Sequence, residues 1–352
     1  MDLNKIRRDI DAIDNKMLEL LSQRAHKVIK VNEFKVRQKL DNYSPAREAH
    51  IFKRLKALNK GPLDAEDVEM VFREVVSVCR AVRTALRAAY LGPQGTFTHL
   101  AALKKFGKKA HYLPAENIRE VFDKVEKGEV DYGVVPIENT IEGVVNYTQD
   151  MFFASPLQIC AEITMTISHN LLSNASRSIK RIYSNPHVFP QCRQWITKRY
   201  PGAELVPVSS TAKAAQLAKK DPQGACIGNK ILSEIYGLKI VDTAIEDSAS
   251  NMTRFLVIAK KDSAASGKDK TSLLFSVKDR VGALYDVLSA FKRYRINLTK
   301  IESRPSRRKP WDYYFLVDCE GHRDSALFKK AMREVEKHCV FVKVLGSYPK
   351  ES

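Results

Sequence analysis

The 352-residue sequence has no Cys-x-x-Cys pair, and its six cysteines, Cys79, Cys160, Cys192, Cys226, Cys319 and Cys339, lie far apart. That spacing suggests neither a zinc site nor a disulfide framework, and it fits a reducing cytoplasm. No stretch approaches the ~18 apolar residues needed to span a membrane, and the start of the chain carries charges throughout, so neither export nor a membrane partner is expected. Gly-x-Gly-x-x-Gly and Walker loops are lacking, which argues against a nucleotide, and no metal or other cofactor is expected. Repeats and low-complexity tracts are lacking as well. With 44% hydrophobic and 28% charged residues, the composition excludes disordered and collagen-like classes. At ~100–200 residues per domain, the length implies two or three domains.

Acid is in short supply: 41 Asp and Glu stand against 59 Lys and Arg, a net charge of +18. Such a surplus attracts nucleic acid or a small polyanion, unless it is merely a solvated basic surface. The basic run Arg307-Arg308-Lys309 has no aromatic interleaving on a common face and reads as an exposed hairpin tip, so no nucleic-acid partner is expected.

Three segments follow one another. Apolar residues recur at heptad-like spacing through Leu3, Ile6, Ile10, Ile13, Met17, Leu20, Val28 and Val31, which predicts one amphipathic helix to about residue 38. Ser44 as N-cap and Pro45 as first residue predict a second helix that ends near Gly61-Pro62. Asp64 caps a third, expected over 65–87. One chain cannot easily close a bundle with so long a first helix, and a dimer would cover the exposed stripe. From residue 88 short β runs alternate with helices, with strands expected at 89–92, 130–135, 159–167, 179–183, 204–208, 225–227 and 255–259: an α/β domain. Residues 261–270, polar and rich in small side chains, read as a linker. The rest reads strand 271–277, helix 283–293, strands 298–303 and 313–317, helix 325–338 and strand 341–345, a ferredoxin-like βαββαβ order.

In the first helix Arg24 sits where the stripe expects an apolar residue, a costly placement unless an anion meets it. Lys35, eleven residues on, lies on the same face ~16 Å away, so the two could bracket a small dianion; alone, either reads as a snorkelling side chain. Arg7 is ~25 Å before Arg24 and cannot share its ligand. The second helix offers Arg47-Glu48 near its start, and the third places Cys79 and Arg83 four residues apart.

These residues, with Ile6-Arg7, Ile13-Asp14, Leu20-Leu21, Gln23-Arg24 and Phe72-Arg73-Glu74, make residues 1–87 resemble the all-helical chorismate mutase family, an intertwined dimer. The resemblance implies that Arg7 serves the partner's site, Arg24 and Arg47 hold carboxylates, Lys35 approaches the ether oxygen and Glu48 accepts the substrate hydroxyl. Ser44, Cys79 and Arg83 complete the implied chorismate-binding set, and they stand where the family usually has Asp, Ser and Gln. The rearrangement to prephenate needs no nucleophile or proton transfer, only a preorganised cationic pocket.

In the middle segment Gly92-Pro93-Gln94-Gly95-Thr96-Phe97 forms a strand-to-helix turn, and Pro136-Ile137-Glu138-Asn139-Thr140 puts polar residues after an apolar run. Asn251-Met252-Thr253-Arg254-Phe255 sets a hydroxyl and a guanidinium at the start of a buried strand. Together with Ser184-Asn185-Pro186 and Gln191-Cys192, these motifs make residues 88–262 resemble prephenate dehydratase, a two-lobed α/β enzyme. The resemblance implies a catalytic set of Thr253, Arg254 and Phe255, with Glu138, Asn139, Thr140, Ser184 and Gln191 lining the cleft. Thr253 would bond the departing hydroxyl, and Arg254 would pair with a carboxylate or brace the strand. Asn185 stands where the family usually has His.

Residues 271–352, through Gly282-Ala283-Leu284 and Glu302-Ser303-Arg304-Pro305, resemble an ACT regulatory domain, and those seven residues are its implied phenylalanine contacts. The expectation is therefore a multidomain cytoplasmic enzyme, dimeric or a higher homo-oligomer, that takes chorismate and prephenate and answers to phenylalanine. Two alternatives stay open: a dehydratase whose helical domain only dimerises, and a phenylalanine sensor without catalysis, against which the intact Thr253-Arg254-Phe255 argues.

Overall fold

The computed structural model describes residues 2–38, 41, 43–83, 85–175, 178–248, 250–305 and 313–351; the run Arg307-Arg308-Lys309 lies outside them. The chain divides into two units, residues 1–87 with 106–111, and residues 88–105 with 112–352. Among the described residues no helix is long and apolar enough to cross a membrane.

The first unit holds α1 (Leu3–Arg37), α2 (Pro45–Leu58) and α3 (Ala65–Ala81). Each start is set by an acceptor side chain: Asp2 accepts from the Asn4 amide, Ser44 from that of Arg47, and Asp64 from those of Glu66 and Asp67. α3 stops at Ala81, short of the expected 87, because the chain then extends into a sheet strand at Arg87. At 1.5 Å per residue α1 is about 52 Å long, and within one chain residues 2–23 are all exposed. Leu3, Ile10, Ile13, Met17 and Leu20 each stand more than half exposed, so the stripe read from the sequence is real and uncovered by this chain.

The second unit begins with β1 (Arg87–Leu91), α4 (Phe97–Phe106), β2 (His111–Ala115), α5 (Ile118–Lys127), β3 (Tyr132–Asn139), β4 (Gly143–Val144), α6 (Asn146–Ala154) and β5 (Gln158–Thr166). Then come β6 (Asn170–Ser173), β7 (Arg181–Ser184), α7 (Val188–Gln191), α8 (Arg193–Arg199), β8 (Glu204–Pro207), α9 (Thr211–Lys220), β9 (Gly224–Gly228), α10 (Ile231–Tyr236) and β10 (Lys239–Asp242). β11 (Met252–Ala259) closes this part. It lies in a sheet ordered β2-β1-β3-β11-β5, whereas residues 170–242 build their own sheet, β10-β6-β9-β7-β8. The chain thus crosses between two lobes at 167–169 and again at 243–251. β11 returns antiparallel to both of its neighbours, with Thr253 opposite Asn139 and Arg254 opposite Glu138 on β3.

The final stretch is β12 (Asp269–Val277), α11 (Ala283–Arg293), β13 (Leu298–Pro305), β14 (Tyr313–Glu320), α12 (Ala326–His338) and β15 (Cys339–Pro349). Its antiparallel sheet runs β13-β14-β12-β15, which is the expected βαββαβ fold. The expected linker is not a loose tether. The Asp262 carboxylate accepts from the Ser347 amide and pairs with Arg323, and the buried Ser263 donates its amide to the Ser347 carbonyl.

This last sheet shares a core with the first lobe: Ile159, Leu256 and Ile258 pack with Leu274, Tyr314, Leu316 and Leu345. The closest approach is at Gly346, whose φ is +146°. A Cβ there would run into the Ile159 carbonyl oxygen and sit 2.7 Å from the Ile159 nitrogen. Gly346→Ala is expected to destabilise the second unit by roughly 1–3 kcal/mol, the usual cost of overpacking, read as a lower urea midpoint for the full chain.

Candidate active sites

The helical unit carries an open cavity of about 260 Å³ lined by Arg24, Lys35, Ser44, Arg47 and Glu48, together with Asn32, Tyr43 and Arg80. Arg24 donates to the Val75 carbonyl at 3.5 Å and Lys35 to that of Asp41 at 3.0 Å. Burial holds Lys35 below the usual lysine range; Arg80 adds to the depression, and Asp41 and Glu48 oppose it. The Ser44 hydroxyl is engaged as the cap of α2, accepting from Arg47 at 3.3 Å.

Arg80 is a charged residue of this cavity that the sequence reading missed. Its Nη1 lies 2.6 Å from Glu48 Oε1, its Nη2 donates to the Phe106 carbonyl at 2.9 Å, and its guanidinium carbon is 5.2 Å from the centre of the Tyr43 ring. The signal that picked out Arg24 was there to use, since Phe72, Val76 and Arg80 are successive i, i+4 positions and the third is a charge in an apolar row. Cys79 and Arg83 do not join the cavity lining. α3 ends at Ala81, so no helical face carries both; Cys79 is buried, and Arg83 is half exposed and paired with Glu33 at 3.0 Å. Arg7 is exposed on the uncovered part of α1 and does not line the cavity either.

A second constellation lies where the chain crosses between lobes. Asn139 Nδ2 donates to Thr253 Oγ1 and to Asn251 Oδ1, both at 2.7 Å. The orientation of that amide is set by its other end, since Asn139 Oδ1 accepts from the amides of Ile141 and Glu142 at 2.8 and 2.9 Å. Asn251 Nδ2 donates to Gln191 Oε1 at 2.8 Å, His169 Nε2 is 2.9 Å from the same oxygen, and Gln191 Nε2 donates to Glu142 Oε1 at 3.0 Å. The chain of bonds therefore runs Glu142, Gln191, Asn251, Asn139, Thr253. With a carbonyl oxygen as its partner, His169 carries its proton on Nε2. Burial lowers the His169 pKa, opposed by the Gln191 bond and by Glu246 and Glu142, so the ring is neutral at pH 7. Thr140 clips the crossing segment: its hydroxyl donates to the Ser250 carbonyl at 3.1 Å and accepts from the Met252 amide at 2.9 Å.

Sequence reasoning missed His169 and Asn251. Asn251 shares a strand face with Thr253 two residues on, a signal that was available; the crossing that holds His169 has no periodicity to read. Four expected residues are placed elsewhere. Ser184 is fully buried and donates to the Ile227 carbonyl at 2.9 Å, and Phe255 is core. Glu138 pairs with Lys300 of β13. Arg254 donates to Glu162, Asp318 and Tyr348. The reason is strand alternation: if Asn139 and Thr253 face the cleft, Glu138 and Arg254 cannot.

In the third sheet, Gly282 is the N-cap of α11 in the left-handed region, with open space where a Cβ would stand, and is followed by the buried Ala283 and the half-buried Leu284. On the edge strand β13, Glu302 and Arg304 are half-buried, and Ser303 and Pro305 are exposed. Arg304 is taken up by Asp150, at 3.1 and 3.3 Å.

Three families match successive parts of the chain: chorismate mutase type II at residues 6–84, prephenate dehydratase at 88–263 and the ACT domain at 271–337. The bifunctional chorismate mutase/prephenate dehydratase of Aquifex aeolicus is 45% identical over 99% of this chain and 98% of its own length. That of Pseudomonas aeruginosa is 42% identical over 99% and 98%. The structure of prephenate dehydratase from Arthrobacter aurescens in complex with L-Phe superposes with a TM-score of 0.70 at 32% identity, covering 75% of this chain and 90% of that one. With a helical unit built around a cationic cavity, a two-lobed α/β body and a βαββαβ domain in this order, the chain belongs to the bifunctional chorismate mutase/prephenate dehydratase family.

Proposed function

We propose that the chain carries out two consecutive reactions in the cytoplasm, chorismate to prephenate in the helical cavity and prephenate to phenylpyruvate at the lobe crossing, and that phenylalanine inhibits it through the C-terminal domain. The domains take residues 1–87, 88–262 and 271–352. The observation that carries the reading is the Asn139–Thr253 bond within a cluster held by Gln191 and Asn251.

In the cavity, Arg24 and Arg47 hold the two carboxylates of the compact conformer, Lys35 faces the ether oxygen and Glu48 takes the hydroxyl. Fixed cations lower the barrier because they meet charge that develops in the transition state without having to reorganise. The Arg80 pair fixes the Glu48 carboxylate. Arg7 completes the cavity of a second copy, and the uncovered apolar stripe of α1 is the surface on which the two copies meet.

Dehydration expels the ring hydroxyl with carbon dioxide, driven by aromatisation. Thr253 Oγ1 already accepts from Asn139, so its own proton is directed away from that bond and toward the departing hydroxyl. Thr253→Ala is expected to lower phenylpyruvate formation by about 10²–10³-fold, the cost of losing one transition-state donor, with chorismate consumption unchanged; both are followed with the purified protein.

Arg80→Ala leaves Glu48 without its partner and is expected to lower mutase kcat by about tenfold or more, in line with ~1.5–3 kcal/mol for a bond to a charged group. Arg83→Ala is expected to leave mutase kcat near the wild-type value. The shared-site arrangement is checked by mixing inactive Arg7→Ala and Arg24→Ala chains. Subunit exchange puts both lesions in one cavity and restores the other, so mutase activity returns.

A further inference from the structure

Four ion pairs behind the dehydratase cluster have no part in the chemistry above. Glu138 and Arg254 form the register pair next to Asn139 and Thr253, on the opposite face of the sheet. There both reach the C-terminal domain: Glu138 pairs with Lys300 of β13, and Arg254 donates to Asp318 of β14 at 2.5 Å and to Tyr348 of β15 at 2.9 Å. Glu162 of β5, 2.9 Å from both Arg254 and Lys270, completes the group. The Glu162 and Asp318 side chains are 3% and 2% exposed.

The register slips beside this pair. Arg254 opposes Glu138 but Phe255 opposes Pro136, which leaves Ile137 as the extra residue of a bulge. Bulges bend a strand and re-aim its side chains, and they are over-represented next to active sites. The Asn139–Thr253 alignment therefore depends on what fixes the two strands just past the bulge. Buried ion pairs contribute little net stability compared with apolar replacements, so geometry accounts better for this group.

We propose that Lys300 and Asp318 of the C-terminal domain are positioning residues for dehydration, acting through Glu138 and Arg254 to hold β3 and β11 in the register that sets Asn139 Nδ2 against Thr253 Oγ1. Lys300 lies two residues before Glu302, so the strand expected to touch phenylalanine is also the strand that pins the reacting cluster. The inference rests on the dehydratase reading.

The test compares Lys300→Met with Lys300→Arg in the full chain, using dehydratase kinetics and near-ultraviolet circular dichroism. Lys300→Met is expected to keep its folded spectrum and lose between about ten- and a hundredfold in kcat, the range that small misplacements cost, with KM changed less than about twofold. Lys300→Arg, which restores the charge, is expected to recover most of the rate. An unchanged kcat in folded Lys300→Met overturns the proposal, and so does a rise in KM at constant kcat, which marks direct substrate contact. If Lys300→Met does not fold, Lys300→Arg decides: near wild-type kcat supports the proposal, and a folded variant as slow as a Thr253→Ala enzyme overturns it. A wild-type chain that forms no phenylpyruvate removes the dehydratase reading instead, a result that needs no variant.

Discussion

Strand β11 enters the first sheet between β3 and β5 after the chain has built a whole second lobe, and the rest of the second unit depends on that pairing. It closes the sheet, sets the two lobe crossings side by side, and brings residue 253 against residue 139 although 114 positions separate them. Buried on both faces, it also joins two environments. One face presents neutral hydrogen-bonding groups to the cleft, and the other a group of opposed charges to the C-terminal sheet. The Arg254 pKa shows the balance: burial alone would lower it, but Tyr348, Asp318 and Glu162 outweigh burial and raise it.

The two sites treat charge in contrasting ways. The helical cavity concentrates cations with one half-buried carboxylate, Glu48, among them, as a reaction that only redistributes negative charge requires. At the lobe crossing, hydrogen bonds among amides, a hydroxyl and a neutral imidazole take over, and Glu142 is the charged end of the chain. Such preorganised hydrogen-bonding groups meet a departing hydroxyl without having to reorganise.

Much of this was legible in the sequence where local rules dominate. The stripe of α1, the caps Ser44 and Asp64, and helix 283–293 follow from spacing and capping chemistry, and α11 appears with those bounds. Asn170-Leu171-Leu172-Ser173 was not legible as a strand, because two apolar residues between polar ones carry no period, although all four are buried. Glu138 was expected in the cleft, and Arg254 either on a carboxylate or bracing its strand, because a motif read as a string hides which face each residue takes; the bonds of Arg254 to Glu162, Asp318 and Tyr348 fit the bracing role. Arg80 was legible as a charge in the apolar row of Phe72 and Val76, but its partners Glu48 and Phe106 lie far off in the sequence, and only the fold brings them together.

The segment between the dehydratase body and the C-terminal domain has the composition of a protease-sensitive tether. The Asp262 and Asp269 carboxylates and the Ser263 amide are nevertheless engaged with β15 and with the segment's own turn, where Asp269 accepts from Ser266 and Gly267. Cleavage requires a stretch of backbone to detach and fit an enzyme's groove, which here means breaking those bonds beside a shared apolar core. Through Asp262, Ser263 and Asp269 the junction is thus tied down at both of its ends, so it serves as a strap across the shared core and not as a hinge.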